Sequence, residues 1–438
     1  MNGQIADQIN EQGHLTIGGV DSLTLAQEYG TPLVVYDVGQ IRKQIRSFKQ
    51  VFEKYHQPYE VSYASKAFAT VAMYQLIASE GIHCDVVSGG ELVTALKAGF
   101  PMAKVSFHGN NKSYEELTLA VKSGVGTIIV DNFYEIQLLD QVLKEQAAQA
   151  QILLRISPGI SAHTNEYIQT GQVDSKFGFD LASGQADQAL KQCLANPRLQ
   201  VLGLHAHIGS QIFDVRGFEG ASRKLVEVAK HWKDAFAFDC QVLNVGGGFG
   251  IKYTSQDTPL APAEFVKAII KTVKSSCQAN GLAIPEIWIE PGRSIVGPAG
   301  YNLYTVGSRK DLPGYEPFVA VDGGMGDNIR PALYRAEYEV VLANDPRKAA
   351  SESVRIVGKY CESGDILAWH QQLPHLVPGQ VLAMLDTGAY GYSMASNYNR
   401  NPRPAVVFVE NGHAQLVVKR ESWEDLTSLD LPYDQNKQ

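Results

Sequence analysis

The chain lacks the sequence features of membrane, secreted and nucleic-acid-binding proteins. Its 438 residues contain no basic run and carry a formal net charge of −8, which argues against a nucleic-acid surface or a membrane patch. No segment reaches the roughly 18 apolar residues of a transmembrane helix. The first ten residues have neither the basic start nor the apolar stretch of a signal peptide. We therefore expect a cytoplasmic protein without membrane or nucleic-acid partners.

Cysteine is also scarce, and its placement excludes two further kinds of site. The five cysteines, Cys84, Cys193, Cys240, Cys277 and Cys361, are scattered and form no CxxC pair. Their odd number argues against a disulfide framework, and their spacing argues against a zinc site. We expect no metal and reduced thiols. The apolar fraction of 45% is ordinary for a globular enzyme, and the length indicates two or three domains.

From about residue 58, short apolar runs alternate with longer amphipathic ones. The short runs are EVSYA (60–64), HCDVV (83–87), KVSF (104–107), TIIV (127–130), ILLRIS (152–157), VLGLHA (201–206), QVLNV (241–245) and EIWIE (286–290). Between them, apolar residues recur at three- and four-residue spacing, as in helices. Eight strand–helix units predict a closed TIM-like (β/α)₈ barrel over residues 36–305. The alternative is an open, doubly wound parallel sheet.

After about residue 305 the helical periodicity stops and strand-like runs dominate. Turn residues separate them, and Asn411-Gly412 between two runs is typical of a hairpin. The pattern predicts a C-terminal β-sandwich or β-barrel domain over residues 306–438. The N-terminal segment, residues 1–35, includes HLTIGGV and begins the run TPLVVYDV, and we expect it to add strands to that β domain.

In a closed barrel the chemistry lies at the C-terminal ends of the strands. The residues found there are Lys66, Asp85, His207, Ser210, Gly246, Gly247, Gly248, Glu290, Pro291, Gly292 and Arg293. Barrel enzymes often bind phosphate after the seventh and eighth strands, where this chain offers bare backbone N–H groups and a guanidinium. A lysine beside a phosphate site indicates pyridoxal phosphate (PLP), whose aldehyde forms a Schiff base with an amine.

Each of these signals is weak when taken alone. A lysine after a strand is usually a solvated surface residue, glycines in loops mostly form turns, and a single histidine is more often a hydrogen-bonded core residue. Glu290 alone fits a buried ion-pair partner as well as a catalytic residue. The signals gain weight because all of them fall at the strand ends of one predicted barrel.

A series of motifs, in order along the chain, resembles the diaminopimelate decarboxylase family within the alanine racemase/ornithine decarboxylase fold group. The motifs are YASKAF (63–68), DVVSGGEL (85–92), FHGNNKS (107–113), DSKFG (174–178), HIGSQI (207–212), NVGGGFG (244–250), EPGRS (290–294), DGGM (322–325), IRPALY (329–334), CESGD (361–365) and GAYGYSMASNYN (388–399). The resemblance extends from about residue 14 to 435. It implies a PLP-binding barrel followed by a β domain, as the pattern does.

The resemblance also implies a role for each matching residue. Lys66 would hold PLP covalently, His207 would stack on its ring, Glu290 would pair with the ring nitrogen, and Ser210 with Gly246–Gly248 would bind its phosphate. Asp85, Pro291, Gly292, Arg293 and Tyr390 would complete the cofactor site. Arg293, Arg330 and Tyr334 would bind the distal carboxylate of the substrate, Glu362 its distal amine, and Tyr390 both cofactor and substrate. Cys361 would donate a proton, and Cys361 and Glu362 would reach the partner's active site in a homodimer.

These residue types suit a decarboxylation. Loss of CO₂ leaves a carbanion at Cα that PLP delocalises into its ring, and a carboxylate such as Glu290 favours the protonated ring nitrogen that this requires. A racemase of this fold would be expected to have an arginine at that position. A cysteine thiol is mostly protonated at pH 7 and can act as a general acid. Arg330 and Glu362 together match a zwitterionic distal end, so the expected reaction converts meso-2,6-diaminopimelate to L-lysine and CO₂.

Two alternatives remain at this point. One is a related PLP-dependent decarboxylase acting on ornithine, arginine, a D-amino acid or a carrier-bound glutamate. The other is a non-catalytic PLP-binding protein, which would need no second domain. Asn165, Gly326 and Lys359-Tyr360 depart from the residues expected in the family, and they put fine specificity in doubt.

Overall fold

The computed structural model of the chain describes residues 5, 7–159 and 175–433. These residues form two compact units. The barrel unit comprises Ile41–Lys252 and Gln256–Gly297, and the β unit comprises the described residues up to Gln40, Tyr253–Ser255 and those from Pro298 onward. Every described helix is either too short or too polar to cross a bilayer.

The chain starts in the β unit and then enters the barrel unit. The first elements are β1 (Thr16–Ile17), β2 (Val20–Asp21), α1 (Ser22–Tyr29), β3 (Leu33–Asp37) and α2 (Val38–Lys54). β1 and β2 pair antiparallel, and the Asp21 carboxylate caps α1 by accepting the N–H of Leu23 at 2.8 Å. β3 is an apolar run buried at four of its five positions, as expected of a strand inside a sheet.

The barrel unit contains a closed ring of eight parallel strands. The eight strands of the ring are β4 (Tyr59–Ala64), β5 (His83–Val86), β6 (Val105–Phe107), β7 (Thr127–Val130), β8 (Ala150–Ser157), β10 (Leu199–His205), β11 (Val242–Asn244) and β12 (Glu286–Ile289), and β9 (Phe179–Asp180) lies outside the ring. β8 pairs with β10, and β12 pairs with β4, which closes the ring. β9 is an extra strand on β8. The (β/α)₈ barrel is therefore confirmed, and the open-sheet alternative is wrong.

Helices follow the barrel strands, and several begin with a side-chain cap. They are α3 (Val71–Ser79), α4 (Gly89–Lys97), α5 (Tyr114–Ser123), α6 (Phe133–Glu145), α7 (Gln185–Leu194), α8 (Arg216–Phe236), α9 (Pro262–Ala279) and α10 (Arg293–Val296). Thr70, Ser88, Ser113 and Asn132 each accept a backbone N–H from three residues further along the chain, at the starts of α3 to α6. Such caps satisfy N–H groups that a helix start leaves unpaired, so they fix the turns after the strands.

The C-terminal part of the β unit consists almost entirely of strands. Its elements are β13 (Gly300–Lys310), β14 (Phe318–Val321), α11 (Arg330–Tyr334), β15 (Val340–Leu342), β16 (Glu352–Val357), β17 (Ile366–Leu373), β18 (Val381–Met384), β19 (Ala405–Glu410), β20 (His413–Val418) and α12 (Trp423–Thr427). Asn411 and Gly412, with φ of 52° and 80°, form the two-residue turn between β19 and β20. Positive φ at both positions suits a hairpin turn, and the predicted hairpin is confirmed.

The N-terminal strand β3 lies inside the sheet of the β unit. The sheet order is β17-β16-β14-β13-β3-β19-β20, and β18 joins β13 to β15. β3 runs antiparallel to β13 and parallel to β19. Its inward side chains Leu33 and Val35 pack with Leu303, Ala383 and Val407 in one buried cluster. The expectation that the N-terminal segment adds a strand to the β domain is therefore confirmed.

A buried ion pair ties together two loops at the C-terminal mouth of the barrel. The Lys112 amine donates to the carbonyls of Gly109 and Ile129, both at 2.8 Å, and to the Glu135 carboxylate at 2.7 Å. The second Glu135 oxygen accepts the N–H of Asp131 at 3.0 Å. The side chains of Lys112 and Glu135 are 1% and 2% exposed. Water therefore cannot solvate either charge if the other is removed. The pair fixes the loops that follow β6 and β7.

We predict that Lys112→Met destabilises the barrel unit, because it leaves the buried Glu135 carboxylate without its cation. Breaking one side of a buried pair costs about 3–5 kcal/mol. Chemical denaturation measures this loss, and Lys122→Met, which removes an exposed lysine from α5, is the matched control. A loss below about 1 kcal/mol, the value typical of an exposed pair, would contradict the prediction.

Candidate active site

Lys66 and Glu290 lie at the ends of two adjacent barrel strands. Lys66 is in a short 3₁₀ turn, Ser65–Ala67, directly after β4, and Glu290 directly follows β12. β4 and β12 are parallel neighbours, and the N–H of Ala64 donates to the carbonyl of Pro291 at 3.3 Å. The Lys66 side chain is exposed, whereas that of Glu290 is buried. The lysine and the acid therefore share one mouth of the barrel.

Three side chains from other strand ends surround the Glu290 carboxylate. Asn244 donates its amide N–H to Oε1 at 2.7 Å, and the His205 Nε2 lies 3.2 Å from Oε2. The His108 Nε2 lies 3.4 Å from Oε1. Burial by itself raises the pKa of the Glu290 carboxyl, but His205 and His108 hold it well below its ordinary value. Glu290 is consequently an ionised carboxylate in a buried position.

Asp85 is a second buried carboxyl group beside Glu290, and its pKa is shifted in the opposite direction. Burial, followed by the charge of Glu290, raises the pKa of Asp85 well above its ordinary value, and the Ser62 hydroxyl donates to its Oδ1. The His108 Nε2 lies 3.5 Å from the same oxygen. Two neighbouring carboxyl groups in one low-dielectric site separate into one charged and one neutral group. Of the two carboxyl groups, Glu290 is therefore the one with the lower pKa.

Sequence reasoning missed His108, His205 and Asn244, which support Glu290. A ring nitrogen of each histidine and a carboxylate oxygen of Glu290 lie within 4.8 Å of one another. Burial lowers the pKa of His108 to about 4 and also lowers that of His205. His205 and Asn244 are the last residues of apolar strands, and His108 directly follows one. A polar side chain at such a position is the signal that could have found them.

The three glycines after β11 form a close-packed loop that has no space for a side chain at any of the three positions. Gly246 and Gly248 have φ of 72° and 107°, which disfavours a side chain. A Cβ on Gly247 would lie 2.1 Å from the carbonyl oxygen of Glu290. The N–H of Gly247 donates to the His207 Nδ1 at 3.1 Å, and the N–H of Gly246 donates to the Asn244 amide oxygen at 2.9 Å. The loop is therefore fixed beside Glu290 and His207.

Ser210 and Arg293 are linked to this glycine loop through the loop that follows β10. The Arg293 guanidinium, which is 7% exposed, donates from Nη2 to the Ser210 hydroxyl at 3.0 Å. The N–H of Ile212 donates to the carbonyl of Gly248 at 2.9 Å, so the loop after β10 is attached to the glycine loop. Bare backbone, a hydroxyl and a guanidinium together make a suitable anion cradle.

His207 and Gly292 are further predicted cofactor-binding residues at this mouth of the barrel. Burial and the charge of Lys66 lower the pKa of the His207 imidazole well below its ordinary value, so the ring is neutral. A Cβ on Gly292 would lie 2.9 Å from the carbonyl oxygen of Ala64, and only glycine allows this approach. The barrel unit thus brings together all the predicted cofactor-binding residues except Tyr390.

Arg330, Tyr334, Cys361, Glu362 and Tyr390, the remaining predicted site residues, belong to the β unit. Arg330 is buried in α11 and donates to the Tyr253 hydroxyl at 3.1 Å and to that of Tyr338. Tyr334 is half-buried at the end of α11, and Tyr390 is half-buried with a φ of 60°. Cys361 and Glu362 are exposed in the loop between β16 and β17. Asn165 lies outside the described residues.

Asp327 is a buried acid in the segment that leads to Arg330. It is 2% exposed, and its Oδ2 accepts the N–H of Gly324 at 2.9 Å. Burial raises the pKa of Asp327 to about 7. The folded protein therefore holds a proton here at pH values at which an unfolded aspartic acid is ionised.

Comparison with known proteins gives consistent results along the chain. Residues 38–297 match the family described as "Pyridoxal-dependent decarboxylase, pyridoxal binding domain". The diaminopimelate decarboxylase of Bacillus subtilis is 58% identical over 97% of each chain, and that of Staphylococcus aureus is 44% identical over 95% of this chain and 97% of its own. A crystal structure of diaminopimelate decarboxylase from M. jannaschii in complex with L-lysine has a TM-score of 0.91, with 34% identity over 98% of each chain.

The raised pKa of Asp327 predicts a pH-dependent difference between the wild type and Asp327→Asn. Between about pH 4 and pH 7 the folded state keeps a proton that the unfolded state releases, so the free energy of unfolding of the wild type falls as pH rises through this window. Asparagine does not titrate. The stability of Asp327→Asn relative to wild type should therefore increase by about 1–2 kcal/mol from pH 5.5 to pH 8.

Denaturation curves at the two pH values measure this increase. Glu424→Gln, at an exposed position in α12, is the control and should follow the wild type. An identical pH response of Asp327→Asn and wild type would show that Asp327 titrates normally.

Proposed function

Because the chain belongs to the diaminopimelate decarboxylase family of pyridoxal-dependent decarboxylases, we propose that the residues at its barrel mouth perform that family's reaction. The protein is a PLP-dependent carboxy-lyase that converts meso-2,6-diaminopimelate to L-lysine and CO₂, the last step of lysine biosynthesis by this route. The observation that carries the proposal is the placement of Lys66 beside an ionised, buried Glu290 and an anion cradle.

The residues at the mouth fit pyridoxal phosphate in charge and shape. The loop of Gly246, Gly247 and Gly248 leaves no room for side chains, so its backbone can approach a phosphate closely. The Ser210 hydroxyl accepts a hydrogen bond from the Arg293 guanidinium, and the loop that carries Ser210 is bonded to Gly248 through the N–H of Ile212. Lys66 offers an amine on the neighbouring strand end, and no described residue accepts a hydrogen bond from it. When bound, pyridoxal phosphate supplies the conjugated ring that accepts the electron pair left at Cα when CO₂ departs.

In this proposal Glu290 sets the protonation state of the heterocycle. Its charge, held by Asn244 and His205, favours a protonated ring nitrogen, which strengthens the ring as an electron acceptor. His207 would pack against the ring of the bound cofactor. As a neutral imidazole it adds no positive charge that would compete for Glu290. Asp85, Pro291, Gly292 and Tyr390 contribute further contacts to the cofactor.

We assign recognition of the substrate's distal end chiefly to the β unit. Arg330 and Tyr334, with Arg293 from the barrel, bind the distal carboxylate, Glu362 binds the distal ammonium, and Tyr390 contacts cofactor and substrate. Arg330 suits its part because two tyrosines hold the guanidinium in a buried position, so little side-chain entropy is lost on binding. Cys361 protonates Cα after CO₂ leaves. Residues 306–438, with residues 1–35, form the domain that supplies these groups, and residues 36–305 bind the cofactor.

We further propose a cytoplasmic homodimer whose active sites are shared across the interface. The motif CESGD supports this assembly through its family resemblance, in which Cys361 and Glu362 enter the partner's site. Both side chains are exposed on the single chain, as residues that serve a partner must be. The five cysteines are unpaired, which agrees with a reducing compartment.

A substrate panel tests the proposed function. Purified protein should decarboxylate meso-diaminopimelate faster than ornithine, lysine or arginine, because these lack the distal carboxylate that Arg330 is assigned to bind. Arg330→Met should raise the KM for diaminopimelate about 100-fold or more, since a site built for a charged group discriminates strongly. Arg335→Met, which removes an exposed arginine five residues further along, is the control. Faster turnover of a simple diamino acid would overturn the specificity.

Hybrid dimers test the shared active sites. Lys66→Ala should lose the visible absorption of the bound cofactor as well as turnover, and Cys361→Ala should lose turnover but keep the absorption. When the two variants are mixed and subunits exchange, hybrid dimers hold one site with both Lys66 and Cys361. Activity should recover to about a quarter of the wild-type value. No recovery despite confirmed subunit exchange would mean that each active site is built from one chain.

A further inference from the structure

Tyr360, the residue before Cys361, is the buried member of an otherwise exposed loop. Tyr360 is 7% exposed, while Cys361, Glu362 and Ser363 are exposed. Its ring, together with Gly326, Tyr398 and Asn399, forms what we call the Tyr360 cluster. All four residues belong to the β unit.

Position 326 requires glycine because the Tyr360 ring occupies the space that a side chain there would need. A Cβ at position 326 would lie 2.0 Å from the Tyr360 hydroxyl oxygen and 2.4 Å from its Cζ. Gly326 is not among the glycines with positive φ, so its backbone alone does not require glycine. The contact between Gly326 and Tyr360 makes the two positions a single packing arrangement.

Tyr398 and Asn399 hold the loop from another segment of the chain. The rings of Tyr360 and Tyr398 are parallel, with an interplanar angle of 4° and centroids 6.1 Å apart, within the range of offset stacking. The Asn399 side-chain oxygen accepts the N–H of Cys361 at 2.8 Å. The N–H of Ser396 donates to the carbonyl of Gly326 at 3.0 Å. Position 326, the 396–399 segment and the Cys361 loop are thereby joined.

Asp365 fixes the backbone of Tyr360 and of Met325 through hydrogen bonds. This 3% exposed carboxylate accepts the N–H of Tyr360 at 2.9 Å and that of Met325 at 2.7 Å. The N–H of Lys359 donates to the carbonyl of Gly323 at 3.0 Å. The peptide that precedes Cys361 is thus bonded on both sides of Tyr360, although the thiol itself is at the surface.

From this geometry we propose that the Tyr360 cluster positions Cys361 and Glu362 for proton transfer and for binding of the distal amine. Tyr360, Gly326, Tyr398 and Asn399 are positioning residues that act through the loop backbone. The inference rests on the proposed role of Cys361. A proton donor must reach its target carbon within a narrow range of positions, and a displacement of about 1 Å can reduce the rate about 100-fold.

A steric double-mutant cycle tests the contact between Gly326 and Tyr360. Gly326→Ala should lower kcat about 10- to 100-fold, because the new Cβ displaces the Tyr360 ring and with it the adjacent Cys361. In a Tyr360→Ala background the same substitution should lower kcat less than twofold further, since the obstructing ring is gone. Gly307→Ala, at an exposed position in β13 where a Cβ is 3.6 Å from its nearest neighbour, is the matched control and should retain wild-type kcat.

Two substitutions of Asn399, one that removes its hydrogen-bond acceptor and one that keeps it, test its positioning role independently. Asn399 has a φ of 51°, which glycine tolerates, so Asn399→Gly removes the acceptor without backbone strain. It should lower kcat about tenfold while KM stays within about threefold, and hydrogen exchange of the 359–365 peptide should become faster. Asn399→Asp keeps an acceptor oxygen and should restore kcat and protection.

The outcomes separate this inference from the proposed function. Equal losses of kcat from Gly326→Ala with and without Tyr360, or equal behaviour of Asn399→Gly and Asn399→Asp, would overturn the positioning role. If Gly326→Ala does not fold, the Asn399 pair decides alone. A fully active Cys361→Ala would instead overturn the role of the thiol itself. Retained visible absorption in the Gly326 and Asn399 variants shows that the barrel site is intact.

Discussion

The negative charge on Glu290 is the constraint on which the cofactor site depends. A buried carboxylate is costly unless donors surround it, and here Asn244 and His205 provide them from neighbouring strand ends. Burial, followed by the same charge, raises the pKa of Asp85 well above its ordinary value. The carboxylate of Glu290 thus shifts the pKa of a neighbouring acid at this mouth of the barrel.

The glycine loop satisfies a second requirement at the same mouth. Gly247 must let its backbone pass close to the carbonyl of Glu290, and its N–H must reach His207. The anion cradle and the acid are therefore parts of one rigid arrangement. A side chain at position 247 would disturb both, because the space it needs is already occupied by the backbone of the acid.

The sequence predicted the barrel and its mouth because those features follow from local patterns. Alternating runs such as TIIV and QVLNV give strands, and residues after parallel strands must meet at one edge, as Lys66 and Glu290 do. His205 was missed because a histidine within an apolar strand is usually a core residue. The contact between Gly326 and Tyr360 was not predictable, since it joins distant segments through the shape of a side chain. The roles of the individual site residues remain predictions, because their chemistry depends on groups that the chain alone does not contain.

Strand β3 has a consequence for how a nascent chain acquires its structure. It is translated before the whole barrel unit, yet its partners β13 and β19 are translated after that unit. Domains generally fold as units while synthesis proceeds from the N-terminus, so the barrel can form while β3 still has two bare edges. Bare strand edges invite pairing with other chains. Until β13 and β19 have been made, both edges of β3 therefore remain open to pairing with another chain.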